Sequence, residues 1–102
     1  LKQDAPGLQV YSGSKQDAGD GEWVDVEPVE EAFTINIGDM MQVWTGGLYA
    51  APEHRVLAQR EHERYSAPFF FNPRYDCNVA PIPGLSGPRL YRPINWGRFR
   101  AM

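Results

Sequence analysis

Three residues in the second half of this chain could act together chemically: His54, Arg64 and Ser66. His54 opens the β-prone run Pro52-Glu53-His54-Arg55-Val56-Leu57, and Arg64 and Ser66 open a second run that continues as Ala67-Pro68-Phe69-Phe70-Phe71. In a strand, residues i and i+2 point to the same face, so Arg64, Ser66, Pro68 and Phe70 are expected on one side. A guanidinium fork and a hydroxyl aimed at one point suit a carboxylate. An arginine on a wall of proline and phenylalanine is costly to bury unless an anion meets it. The residues alone leave two readings open, an anionic ligand or an internal acid such as Asp39 or Glu53. A histidine on a neighbouring strand could bring a metal to the same pocket, or it could simply be a satisfied hydrogen-bonding side chain.

Other candidates are weaker. His62 sits among Arg60, Glu61, Glu63 and Arg64, which reads as a solvated loop. His54 and His62 have no cysteine or second motif at zinc-site spacing. Cys77 is the only cysteine, with nothing near it in sequence to activate it as a nucleophile. A single cysteine excludes a disulfide framework and fits a cytoplasmic setting.

The elements that must position these residues read as strands. The chain has 102 residues, enough for one domain with a modest core, and ten glycines and nine prolines disfavour a helical bundle. Gly7 to Tyr11 and Glu22 to Pro28 are expected to pair as strands across a flexible loop, Ser12 to Gly21. Val29 to Ala32 reads as a turn. Phe33 to Asp39 alternates, which predicts a strand with Phe33, Ile35 and Ile37 on one face. Asp39 is expected to cap a short helical turn, Met40 to Thr45, with Met41 and Trp44 packed inward and Gly46-Gly47 ending it. The prolines after Asn72 predict an irregular C-terminal tail whose aromatics pack on a body.

No apolar run is long enough for a membrane span, so no membrane partner is expected. Ten acidic residues fall in 1–53 against two lysines, and three fall in 54–102 against eight arginines. Those arginines are scattered among prolines and glycines with no helix to align them, so nucleic acid is not expected; the two halves are expected to face each other or missing segments.

Taken in order, Gly7-Leu8-Gln9-Val10, Gly21-Glu22-Trp23-Val24-Asp25-Val26, Asn36-Ile37-Gly38-Asp39, Gln42-Val43-Trp44-Thr45-Gly46-Gly47, His54-Arg55-Val56 and Arg64-Tyr65-Ser66 with Pro68-Phe69-Phe70-Phe71 resemble a known family. They are similar to the C-terminal part of the iron(II)/2-oxoglutarate-dependent dioxygenases of the isopenicillin N synthase-like superfamily. The resemblance covers about residues 1–83, and Tyr91 to Gly97 resembles an extension found in some microbial members.

The resemblance implies an all-β fold, a partial double-stranded β-helix (jelly roll) with one short helix and an irregular tail. Residues 1–83 would be the C-terminal portion of that domain and 84–102 the start of an extension. It implies Fe(II), with His54 as the distal histidine ligand, and 2-oxoglutarate, with Arg64 and Ser66 on its far carboxylate. Val56 and Phe70 would line the substrate pocket. O2 would be the oxidant and ascorbate a support. The implied reaction oxidises a C–H bond of a small-molecule substrate, by hydroxylation, desaturation or ring closure, releasing succinate and CO2.

The family's other two ligands come from a His-x-Asp motif, and this chain has none. They are expected upstream of Leu1, in a missing N-terminal part of the same chain, so the fragment alone is expected to be inactive. Two alternatives stand beside this: an isopenicillin N synthase-like oxidase that uses no 2-oxoglutarate, and a non-catalytic jelly-roll module binding an anion.

Overall fold

A computed structural model of the chain describes residues 2–13, 19–85 and 87–102. Among them strands outnumber helices, and the chain divides into two compact units. One unit comprises 1–36 and 52–69; the other comprises 37–51 and 70–102.

The first unit is built from β1 (Lys2–Gln3), β2 (Leu8–Tyr11), β3 (Trp23–Asp25), β4 (His54–Val56) and β5 (Ser66–Ala67). Strand β2 is the centre of an antiparallel sheet in the order β3-β2-β4. The expected pairing of the first two strands forms, with Val10 opposite Val24 and Tyr11 opposite Trp23. Ser12 N–H donates to the Glu22 carbonyl at 2.9 Å and Gly21 N–H to the Tyr11 hydroxyl at 3.1 Å, which closes the hairpin. The middle of the loop expected between them, residues 14–18, lies outside the described residues. Strand β4 pairs along the other edge of β2, and Leu57 N–H extends that pairing to the Gly7 carbonyl at 2.9 Å. Strand β1 pairs with β5, setting Gln3 opposite Ser66.

The second run is shorter as a strand than its composition predicts. Only Ser66–Ala67 pairs; Arg64 precedes the strand, and Pro68, which has no N–H to give a ladder, follows it. The strand expected over Phe33 to Asp39 is absent. Residues 32–38 are irregular, and Phe33 and Ile35 are 76% and 84% exposed. Alternation marks a segment able to pair, but no described segment offers it a ladder.

The second unit contains α1 (Asp39–Trp44), β6 (Asn78–Val79), β7 (Ile94–Asn95) and α2 (Trp96–Ala101). Asp39 is the first residue of α1 and not its cap; Gly38 caps it without a side-chain bond. Val43 is the buried residue of α1, whereas Met41 is exposed and Trp44 half-buried. The inward face is set by β6, against which the helix packs, and Ile82 N–H reaches the Trp44 carbonyl at 2.9 Å. The helix ends as expected at Gly46 and Gly47, both at positive φ (60° and 85°), where glycine has no Cβ penalty. Buried Thr45 closes the end by donating its hydroxyl to the Met41 carbonyl at 2.9 Å.

The tail is not irregular throughout. Strand β7 pairs with β6, and the Asn95 side chain accepts from Arg98 N–H at 3.2 Å to cap α2. The expected packing of its aromatics is present in part: Gln42 Nε2 donates to the Tyr91 hydroxyl at 2.8 Å, and Trp96 stacks on Phe99. No helix among the described residues is long and apolar enough to cross a membrane.

Candidate functional site

The sheet β3-β2-β4 has two chemically different faces. Gln9 lies opposite both Asp25 and Arg55, and these three form a polar row on one face. Gln9 Nε2 donates to Asp25 Oδ1 at 2.8 Å, and Arg55 Nε donates to Gln9 Oε1 at 2.9 Å. Val10 lies opposite both Val24 and His54, and Leu8 lies opposite Val56. Strand alternation therefore puts His54 and Val56 together on the apolar face. Both are exposed, Val56 by 55%. His54 Nδ1 lies 3.4 Å from the Pro52 carbonyl oxygen.

Arg64 is held by β1 and the segment after it. Its Nη2 donates to Gln3 Oε1 at 2.7 Å and its Nε to the Ala5 carbonyl at 3.3 Å. Asp39 and Glu53 do not pair with it; among the described residues the ion pair present is the exposed Arg74–Asp76 contact at 2.7 Å. A guanidinium has five N–H donors, so several remain, including both on Nη1. Ser66 is exposed on β5, with its backbone against Gln3.

The structure joins these residues unequally. Arg64 and Val56 line one open concavity of about 610 Å³, together with the polar loop that carries Arg60, Glu61, His62 and Glu63. Ser66 lines another, of about 660 Å³, with Gln3, Asp4 and Glu31, and Tyr65 borders both. Gln3 touches Arg64 through its side chain and Ser66 through its backbone. Phe70 belongs to the other unit and is 76% exposed. His62 is exposed in its loop, and Cys77 is half-buried in the second unit.

Reading the sequence missed Gln3 and Asp4. Asp4 Oδ1 accepts from Tyr65 N–H at 2.9 Å, so both residues of this pair fasten the segment that carries Arg64 and Ser66. No local signal marks them, because each partner lies 61 residues away.

The spare guanidinium N–H groups of Arg64 suit a carboxylate, with no acid paired to the arginine, whereas the Ser66 hydroxyl lines the other concavity, so the two are not brought to one point as the i, i+2 spacing predicts. A metal is different. Among the described residues no three His, Cys, Asp or Glu side chains converge as they would around an ion.

A model of the 2OG-Fe(II) oxygenase superfamily matches residues 1–73. Jasmonate-induced oxygenase 4 of Arabidopsis thaliana is 40% identical over 99 residues, covering 94% of this chain and 26% of that protein. Gibberellin 2-beta-dioxygenase 4 of the same plant is 35% identical over 98 residues, covering 92% of this chain and 29% of that protein. The crystal structure of a full-length Neurospora crassa protein in complex with alpha-KG superposes with a TM-score of 0.78 at 30% identity, covering 97% of this chain and 34% of that one. The same protein is also solved with alpha-KG and thymine, at a TM-score of 0.71 and 28% identity, covering 96% of this chain and 30% of that one. The chain belongs to the 2OG-Fe(II) oxygenase superfamily, a membership that implies Fe(II) and 2-oxoglutarate. It spans about a quarter of the length of the curated relatives it matches.

Proposed function

We propose that residues 1–102 are part of a longer polypeptide, a 2-oxoglutarate-dependent dioxygenase of jelly-roll fold that oxidises a C–H bond of a small molecule. In this reading Arg64 and Ser66 hold the far carboxylate of 2-oxoglutarate. His54 supplies one iron ligand, and the others come from outside residues 1–102. Iron bound there would supply the oxidising chemistry with O2, and ascorbate would sustain it. The chain's own part is to bind and orient the cosubstrate and to wall the pocket, with Val56 on the His54 face of the sheet. The observation that carries the reading is Arg64: two of its donors are tied to Gln3 and Ala5, its remaining donors have no acid, and it opens on a concavity shared with Val56. A fixed guanidinium with spare donors and no ion-pair partner is an arrangement that suits a carboxylate.

The experiment is anaerobic titration of the complete polypeptide, loaded with Fe(II), with 2-oxoglutarate, followed by succinate measurement under O2 with candidate small molecules. Saturable binding that Arg64→Ala weakens roughly a hundredfold, with succinate release, supports the reading. Turnover without succinate would indicate an oxidase that uses no 2-oxoglutarate, and absence of iron binding would indicate a non-catalytic module.

A further inference from the structure

Arg64 does not orient itself. It lies outside any strand, so no ladder fixes its backbone, and its side chain is long and rotamer-rich. What holds the guanidinium is a short stretch at the other end of the sequence. Gln3 Oε1 accepts from Arg64 Nη2 at 2.7 Å, and the amide of the same residue donates from Nε2 to the Val26 carbonyl at 3.1 Å. The second bond fixes which end of the Gln3 amide faces the arginine, since only the oxygen can accept. The backbone of Gln3 is meanwhile in register with Ser66. Close by, Gly7 at φ 140° leaves no Cβ where one would stand 3.2 Å from Arg64 Cδ and 3.3 Å from its Nε.

We infer that Gln3 is a positioning residue for the anion site, setting Arg64 through its side chain and Ser66 through its backbone. This rests on the reading of Arg64 and Ser66 as the 2-oxoglutarate carboxylate clamp. Its content is geometric. The edge of the guanidinium that carries Nε is used within the protein, so the ligand must approach from the Nη1 side. Removing Gln3 frees the fork to rotate, and ligand binding must then bear the ordering of that side chain. A glutamate at the same position would keep the acceptor, lose the donor to Val26, and place a carboxylate in competition with the ligand for Arg64.

The test uses the complete polypeptide with Gln3→Met, Gln3→Glu and Arg64→Ala, reading the anaerobic Kd for 2-oxoglutarate, the KM and kcat, and the iron stoichiometry. Methionine keeps the length and apolar stem of glutamine without its bonds. The expected result for Gln3→Met is a Kd and KM for 2-oxoglutarate raised roughly tenfold, the loss of one charge-assisted bond. kcat at saturation and bound iron should stay within twofold of the parent. Gln3→Glu should weaken binding at least as much, and its defect should shrink less than twofold when the pH is varied between 6.5 and 8. A Gln3→Met protein with parental Kd overturns the inference, as does one in which kcat and iron content fall with KM, the sign of general structural damage. Should the methionine variant not fold, Gln3→Glu decides: parental affinity overturns the inference, and weakened affinity with parental iron content upholds it. If Arg64→Ala itself leaves the Kd unchanged, the underlying assignment of the clamp has failed, an outcome distinct from failure at Gln3 alone.

Discussion

The Arg55 guanidinium lies over the Trp23 ring, 4.0 Å from its centroid, while His54, one residue earlier, belongs to the opposite face of the same sheet. The two edge strands β3 and β4 are thereby joined across β2 by a side-chain contact in addition to their ladders. Arg55 also reaches Gln9, which in turn reaches Asp25, so the row spans all three strands. The face that carries His54 is braced from behind.

Arg55→Ala should therefore lower stability by roughly 1–2 kcal/mol, the sum of an exposed cation–π contact and one net hydrogen bond. Urea denaturation of the complete polypeptide would give this as a shifted midpoint at unchanged slope. A double-mutant cycle with Trp23→Leu should return a coupling of about 0.5–1 kcal/mol. Additive single effects would show that the ring contact contributes nothing.

Under the proposed function, Arg64→Ala and Ser66→Ala should separate by charge. Losing the guanidinium removes a charge-assisted fork and should weaken 2-oxoglutarate binding roughly a hundredfold. Losing the Ser66 hydroxyl removes a neutral hydrogen bond and should weaken it by about three- to tenfold. Isothermal calorimetry without O2 reads both. Equal losses would mean that Arg64 does not carry the ligand's charge.

What the sequence could and could not yield follows from the range of the interactions involved. The hairpin of Leu8–Tyr11 with Trp23–Asp25, the His54 strand and the end of α1 at Gly46-Gly47 are written in local alternation and turn chemistry, and these elements form. Phe33 to Asp39 alternates as cleanly but forms no strand, because pairing depends on a partner edge that alternation cannot report. The C-terminal helix was hidden among prolines, although Asn95 three residues before Arg98 is a capping spacing. At the candidate site, Arg64 and Ser66 stand out by type and spacing, but Arg64 falls outside the strand and the two line different concavities, and Gln3 is an ordinary polar residue until the fold brings it to Arg64.

His54→Ala should separate a ligand from a structural residue. β4 is held by backbone pairing with β2, and the His54 side chain is exposed, so stability should change by no more than about 0.5 kcal/mol. Under the proposed function, iron bound by the complete polypeptide should fall sharply, as read by elemental analysis after gel filtration. A destabilisation above about 2 kcal/mol with iron retained would make His54 a structural residue.

Gly97→Ala tests the second unit against a helix-propensity rule. Alanine normally stabilises a helix interior by about 1 kcal/mol over glycine. Gly97 lies in α2 and is buried, and its N–H donates to the Tyr75 carbonyl at 2.9 Å. A Cβ there would stand 2.6 Å from Tyr75 Cε1 and 2.7 Å from the Tyr75 carbonyl oxygen. The ring could swing aside, but the carbonyl is backbone and fixed by the bond it accepts. Overpacking of that kind typically costs about 1–3 kcal/mol, which outweighs the propensity gain. Gly97→Ala should thus be destabilising by up to about 2 kcal/mol, measured as a lowered urea midpoint. Tyr75→Ala alone should not rescue it, because the carbonyl conflict would remain. A stabilised Gly97→Ala variant would mean that α2 is free to move off the Tyr75 backbone.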